Sequence, residues 1–246
     1  MLTKKIVLLL AVLLPVPAFS AGGDAKLDKA DTDIHNQASL QRGARNFVNY
    51  CLGCHGAQYM RWNRMAEDLG IPEDVLMSEL MITGGSPHDT MRTAMPADLS
   101  AGWFGKAPPD LSLIARSRGT DYIYTFLRGY YADPTRPNGV NNTVLAGTAM
   151  PHVLAHLQGL RQPRYELREV GGRSEQHLVG FDAGTPGELS EAEYDEFVRD
   201  TVNFLDYVGE PVKAKRERMG VWVVLFLLVF WVFAWLLKRE YWKDIK

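Results

Sequence analysis

The chain has 246 residues, 46% of them hydrophobic, and a formal net charge of −2. That length holds one large or two small domains with enough apolar side chains for a core, and the composition is ordinary for a globular protein. With the two ends set aside, residues 22–212 carry 17 Lys and Arg against 26 Asp and Glu, a balance of −9. Such a domain repels nucleic acid and attracts basic partners.

Residues 1–21 read as a secretory signal. Lys4 and Lys5 form the positive start and Ile6 to Leu14 an apolar run. Pro15, Pro17 and the small residues Ala18, Ser20 and Ala21 suit cleavage near Ser20 or Ala21. The alternative is a retained anchor. An apolar run that short cannot cross ~30 Å of hydrocarbon at ~1.5 Å per residue.

Leu40, Ala44, Phe47 and Cys51 recur at three- and four-residue intervals, which predicts an amphipathic helix over about 39–51. It delivers Cys51-Leu52-Gly53-Cys54-His55, which contains both cysteines of the chain. C-x-x-C-H is the attachment signature of c-type haem. Each thiol adds to one vinyl group, and the following histidine is held beneath the iron. A disulfide leaves His55 unexplained, and a thioredoxin-like pair wants a βαβ context that is missing here. A zinc site needs a further ligand, with His88, His152, His156 and His177 as candidates, and no second paired spacing occurs.

A thioether is the natural sixth ligand for an electron carrier, because it raises the potential and closes the site. Two identical tetrapeptides offer one: Thr93-Ala94-Met95-Pro96 and Thr148-Ala149-Met150-Pro151. Residue chemistry alone leaves Met95 and Met150 even, with His152 and His156 as further possibilities. Met60, Met65, Met77 and Met81 sit among helix formers and read as core.

Helices are expected near 73–82 and 121–131. Tyr165–Val170 and His177–Phe181 flank Gly171-Gly172-Arg173-Ser174 and read as a β-hairpin. A long helix is predicted from Ser190, where Ser190-Glu191-Ala192-Glu193 forms a capping box. Residues 213–218 are a basic juxtamembrane linker. Met219 to Leu237 are uncharged and apolar all round, enough for one transmembrane helix, with Tyr241 and Trp242 at the interface. A buried core helix is the alternative, disfavoured by the basic clusters on both flanks. With the signal, the expected topology is an exported domain over 22–212, a span over 219–237 and a cytoplasmic tail over 238–246.

Pro108-Pro109-Asp110-Leu111-Ser112, running through Ile114, Arg116, Arg118 and Gly119 to Asp121-Tyr122, resembles the cytochrome c1 family, the haem subunits of the cytochrome bc1 complex. So do Gly184-Thr185-Pro186, Glu210-Pro211, Arg216-Glu217-Arg218-Met219-Gly220, and Arg42-Gly43 ahead of the motif. The resemblance covers most of the exported domain and the tether. It implies a mainly α fold: a cytochrome c-like haem domain with long loops and a small β-hairpin, plus one C-terminal transmembrane helix. It also implies one covalent haem c held by Cys51 and Cys54, with His55 proximal and Met150 distal. By the same resemblance Arg118 meets the propionates, Tyr122 is a nearby aromatic and Pro109 lines the pocket. A surface role is the alternative for Arg118.

The expected activity is electron relay in the bacterial inner membrane rather than catalysis. Cytochrome b and a Rieske iron–sulfur subunit are the implied complex partners, and a soluble basic cytochrome c the acceptor. A cytochrome feeding a terminal oxidase and an open-haem peroxidase are the alternatives. Residues 60–106 are shorter than in mitochondrial members, and the 159–181 region is longer.

Overall fold

A computed structural model describes residues 26–82, 84–170 and 173–244; the signal expected over residues 1–21 lies outside them. The described chain is mainly helical, with three two-stranded antiparallel sheets. Helix α1 (Gln37–Asn46) begins where the Asn36 side chain accepts the Ser39 N–H, satisfying a donor that the helix itself leaves unpaired. It continues into one π-helical turn, Phe47–Cys51. The expected helix over 39–51 is thus present, with its last turn wound wider than an α-helix, a feature common at functional sites.

Next come β1 (Ala57–Arg61), α2 (Trp62–Leu69), and α3 (Glu73–Val75), which runs on through a second π-helical turn, Leu76–Leu80. Strand β2 (Thr90–Met91) pairs with β1, and α4 (Ala97–Phe104) follows. Then α5 (Ile114–Arg118) and α6 (Thr120–Arg128) lead to β3 (Tyr130–Ala132), which pairs with β4 (Val140–Asn142) in the register Tyr130↔Asn142. The short helix α7 (Ala155–Gln158) precedes a hairpin of β5 (Gly159–Val170) and β6 (Arg173–Pro186). Helices α8 (Glu191–Gly209) and α9 (Lys213–Tyr241) complete the chain.

The core forms where α1 crosses α8. Leu40, Ala44 and Phe47 bury against Val198, Val202 and Phe204, each large side chain contributing about 1.5–3 kcal/mol. Gly43 permits the close crossing, since a Cβ there would stand 2.1 Å from the Asp200 carbonyl oxygen. The interface also buries a carboxylate. Asp200 accepts from Arg42 Nε at 2.5 Å and from the Ser39 hydroxyl at 2.6 Å, the pairing a buried charge requires. The capping box at Ser190 is formed in both directions.

Two elements differ from expectation. The hairpin is longer than 165–181, because its outer ends, which contain Pro163 and Gly184, lack the alternation that marks a strand. The basic stretch 213–218 is the first turns of α9 rather than a linker; Lys, Arg and Glu are good helix formers, and no breaker follows Pro211. Helix α9 is 29 residues long with none of its apolar span buried, about 43 Å at the α-helical rise. Its uncharged stretch 219–237 is apolar all round and about 28 Å long, which suits lipid.

Candidate haem site

Cys51 closes the π-helical turn, and the chain then reverses so that the Cys54 and His55 N–H groups both donate to the Cys51 carbonyl, at 3.0 and 2.8 Å. The two cysteines are not joined to each other. Burial pushes the Cys51 thiol up to about 12. Without a metal it is therefore a neutral thiol near pH 7, not the low-pKa thiolate of a redox nucleophile. Among the described residues no three His, Cys, Asp or Glu side chains converge on a metal-sized site.

His55 is buried, and its Nδ1 lies 2.7 Å from the Pro109 carbonyl oxygen. A carbonyl only accepts, so Nδ1 carries the proton and Nε2 keeps its lone pair. Burial lowers the imidazole pKa, against smaller upward pulls from the Pro109 carbonyl and the Asp110 charge. The ring is therefore neutral and of one tautomer, which is the form that ligates iron.

The Pro109 segment is clasped to the motif. Leu111 N–H donates to the Gly56 carbonyl at 2.8 Å. Asp110 accepts from Gln58 N–H and Ser112 N–H, each at 2.9 Å. A Cβ on Gly56 would stand 2.9 Å from Asp110 Oδ2, so the residue after His55 has no room for a side chain unless the carboxylate moves. The Pro109 ring itself is exposed; its carbonyl is what touches the site.

Helix α6 contributes an aromatic ladder. Arg118 is exposed, with its guanidinium 5.4 Å from the Tyr122 ring centroid. Tyr122 lies parallel to Phe126 at 6.2 Å, Phe126 is 5.4 Å from Tyr130, and Tyr130 stacks on His152 at 4.6 Å. Burial holds His152 down at about 4, while His156 is exposed beside Tyr50.

Met150 is half-buried and packs against the core, as do Cys51, Leu111, Ile114, Tyr122 and Phe126. These half-exposed apolar side chains come from the motif, the Pro109 segment, α6 and the Met150 loop, and such surfaces suit a flat apolar macrocycle. The two tetrapeptides make the same local turn. Met150 N–H donates to Thr148 Oγ1 at 3.3 Å, and Met95 N–H to Thr93 Oγ1 at 3.1 Å. The Thr93 hydroxyl donates to the Gly53 carbonyl on the exposed side of the motif. Met95 is not among the side chains packed on the core within the described residues.

Asp110, Tyr130 and Thr148 escaped the sequence reading. The spacing Tyr122, Phe126, Tyr130 was a visible signal for the second, being one face of a helix and its exit.

An attachment motif ending a helix, a neutral histidine behind it and half-exposed apolar side chains on an anchored helical domain define a membrane-anchored c-type cytochrome. The family described as Cytochrome C1 family matches residues 29–245. A protein of Allochromatium vinosum named cytochrome c1 is 47% identical over 98% of this chain and 99% of its own length. A Nitrosomonas europaea protein named ammonia monooxygenase gamma subunit is likewise 47% identical, over 97% of each chain. The mitochondrial cytochrome c1 heme protein of Schizosaccharomyces pombe is 28% identical over 86% of this chain and 68% of its own. The chain belongs to the cytochrome c1 family. It is an electron-carrying subunit of the cytochrome bc1 complex with one covalent haem c, and is not catalytic alone.

Proposed function

We propose that Cys51 and Cys54 would hold the haem as thioethers, that His55 Nε2 and the Met150 sulfur would ligate its iron, and that Arg118, with Tyr122 beside it, would meet its propionates. The observation that carries this reading is the 2.7 Å contact of His55 Nδ1 with the Pro109 carbonyl, which orients Nε2 as a ligand. When bound, the haem supplies one-electron chemistry; the chain supplies orientation, an apolar wall and a docking face. Met150 is preferred to Met95 because it packs on the core with Tyr122 and Phe126. A guanidinium beside a propionate neutralises a partly buried carboxylate, and the placing of Arg118 against Tyr122 supports that role. Pro109 acts through its carbonyl.

Cytochrome b and a Rieske iron–sulfur protein are the partners in the complex, the Rieske protein donating the electron. The acceptor is a soluble basic cytochrome c, attracted by the −9 balance of residues 22–212. Residues 1–21 are a cleaved signal, so the haem domain stands in the periplasm, 219–237 spans the inner membrane and 238–246 stays cytoplasmic. One relative's name favours a second reading, a cytochrome serving a monooxygenase.

Purification from membranes, with a pyridine haemochrome spectrum and identification of accompanying subunits, tests the proposal. Cytochrome b and Rieske subunits are expected. Monooxygenase or terminal-oxidase subunits in their place would refute these partners.

A further inference from the structure

We propose that Tyr130 and the root of the β5–β6 hairpin brace Met150 in the iron's sixth position, Tyr130 through its hydroxyl and Arg161 by fixing the strand that carries Tyr130. Both are positioning residues. The inference rests on Met150 being the distal ligand.

Tyr130 is 2% exposed, its ring held between Phe126 and His152. Its hydroxyl donates to the Met150 carbonyl at 3.2 Å. The Thr148 hydroxyl accepts the Met150 N–H at 3.3 Å. Both main-chain polar groups of Met150 therefore have a side-chain partner, the carbonyl Tyr130 and the N–H Thr148. Met95 has only the N–H half of this arrangement. The difference between the two tetrapeptides is therefore tertiary, and Tyr130 supplies it.

Tyr130 opens β3, a three-residue strand in a two-stranded sheet, which is too little to hold itself. Arg161 at the base of β5 donates to the Tyr130 carbonyl from Nε at 3.4 Å and Nη2 at 3.2 Å, and also to the Arg128 carbonyl that ends α6. Gln158 reaches the same Arg128 carbonyl at 3.0 Å. The Arg161 guanidinium lies 4.2 Å from the centroid of Phe181 on β6, whose ring is 5.7 Å from that of Tyr131. Both strands of the hairpin root thus clamp the chain on either side of Tyr130. The tip of the hairpin, with Leu167 exposed, lies outside these contacts.

The test uses the haem-loaded full-length protein in its complex. Its readouts are carbon monoxide binding to the reduced haem c, the methionine–iron charge-transfer band of the oxidised form, and thermal stability. Tyr130→Phe and Thr148→Val should each speed carbon monoxide binding about two- to tenfold and weaken the band, the range expected for loss of one neutral hydrogen bond. Tyr194→Phe is the matched control. It removes an equally buried phenol bond, to the Leu127 carbonyl at 3.0 Å, and should lower stability without moving either haem readout. Arg161→Gln should act like Tyr130→Phe. Replacing Leu167–Gln176 by Asn-Gly, a turn that suits the Glu166↔His177 pair, should change nothing. Unchanged carbon monoxide binding in Tyr130→Phe and Thr148→Val, or an equal change in Tyr194→Phe, overturns the brace. A silent Arg161→Gln, or an active tip deletion, overturns the part given to the hairpin root. Met150→Leu separates the two readings. If it fails to admit carbon monoxide, the ligand assignment itself is wrong; if it succeeds while Tyr130→Phe is silent, only the brace falls.

Discussion

Gly43 on α1 meets the main chain of Asp200 on α8 so closely that no side chain fits between them. That contact sets the spacing of the two helices on which the haem motif and the anchor both depend. Gly43→Ala would drive a Cβ into an unyielding backbone carbonyl. Overpacking of this kind costs about 1–3 kcal/mol, and thermal unfolding of the haem-loaded protein should show it. A melting temperature equal to the parent's would mean that the helices part without penalty.

Lys29 and the Ala30 N–H both bond to Asp121, tying the N-terminal strap to α6. The Ala30 N–H, then Lys29, hold the Asp121 carboxyl below its usual range. A depressed carboxylate contributes stability at every pH above its unfolded value of about 3.9, and loses it as pH falls through the folded value. Asp121→Asn should cost about 1 kcal/mol at neutral pH, an amount limited by the group's partial exposure. The gap to the parent should close near the acid end of a denaturation series. A constant gap at all pH values would place the effect elsewhere.

Met150→Leu should lower the reduction potential and open the iron to carbon monoxide, because a thioether both stabilises the reduced state and fills the site. Met95→Leu should do neither. Redox titration and carbon monoxide difference spectra check both variants, and a reversed outcome transfers the ligand role to Met95.

Asp110→Ala removes the acceptor of two main-chain N–H groups, those of Gln58 and Ser112. The Ser112 donor, on a buried residue, costs about 1–3 kcal/mol when left unpaired, while the exposed Gln58 N–H turns to water. The Pro109 carbonyl should then slacken its hold on His55, seen as a shifted potential together with lower stability. Lower stability with an unmoved potential would mean that the clasp is purely structural.

Electron transfer to a basic cytochrome c should slow as salt rises, since screening shortens the reach of the domain's negative field to about 8 Å at physiological ionic strength. Stopped-flow rates against ionic strength give the answer, and a flat profile would remove charge steering.

The sequence was most legible where chemistry is local. C-x-x-C-H, the Ser190 capping box and the apolar run 219–237 each declare themselves within a few residues, because attachment, capping and membrane crossing depend on adjacent groups. What stayed hidden was long-range. The twin tetrapeptides could not be ranked from residue chemistry, since both make the same turn and what separates them, the Tyr130 phenol and the packing of Met150 on the core, comes from other elements. The Pro109 carbonyl was equally invisible, being a main-chain atom whose partner lies 54 residues away. Strands β2 to β4 are too short for an alternating pattern to register, and β1 has an irregular register that breaks it.

The passage from α8 to α9 occupies only Glu210–Val212, and ion pairs of Lys213 with Asp206 and Arg216 with Glu210 straddle it. A connection so brief and cross-tied has no slack to absorb a large swing. With α9 seated in lipid as proposed, the head would keep one height and tilt above the bilayer. The proposed donor and acceptor would then do the travelling, and lengthening this joint would blur the distance over which electrons jump.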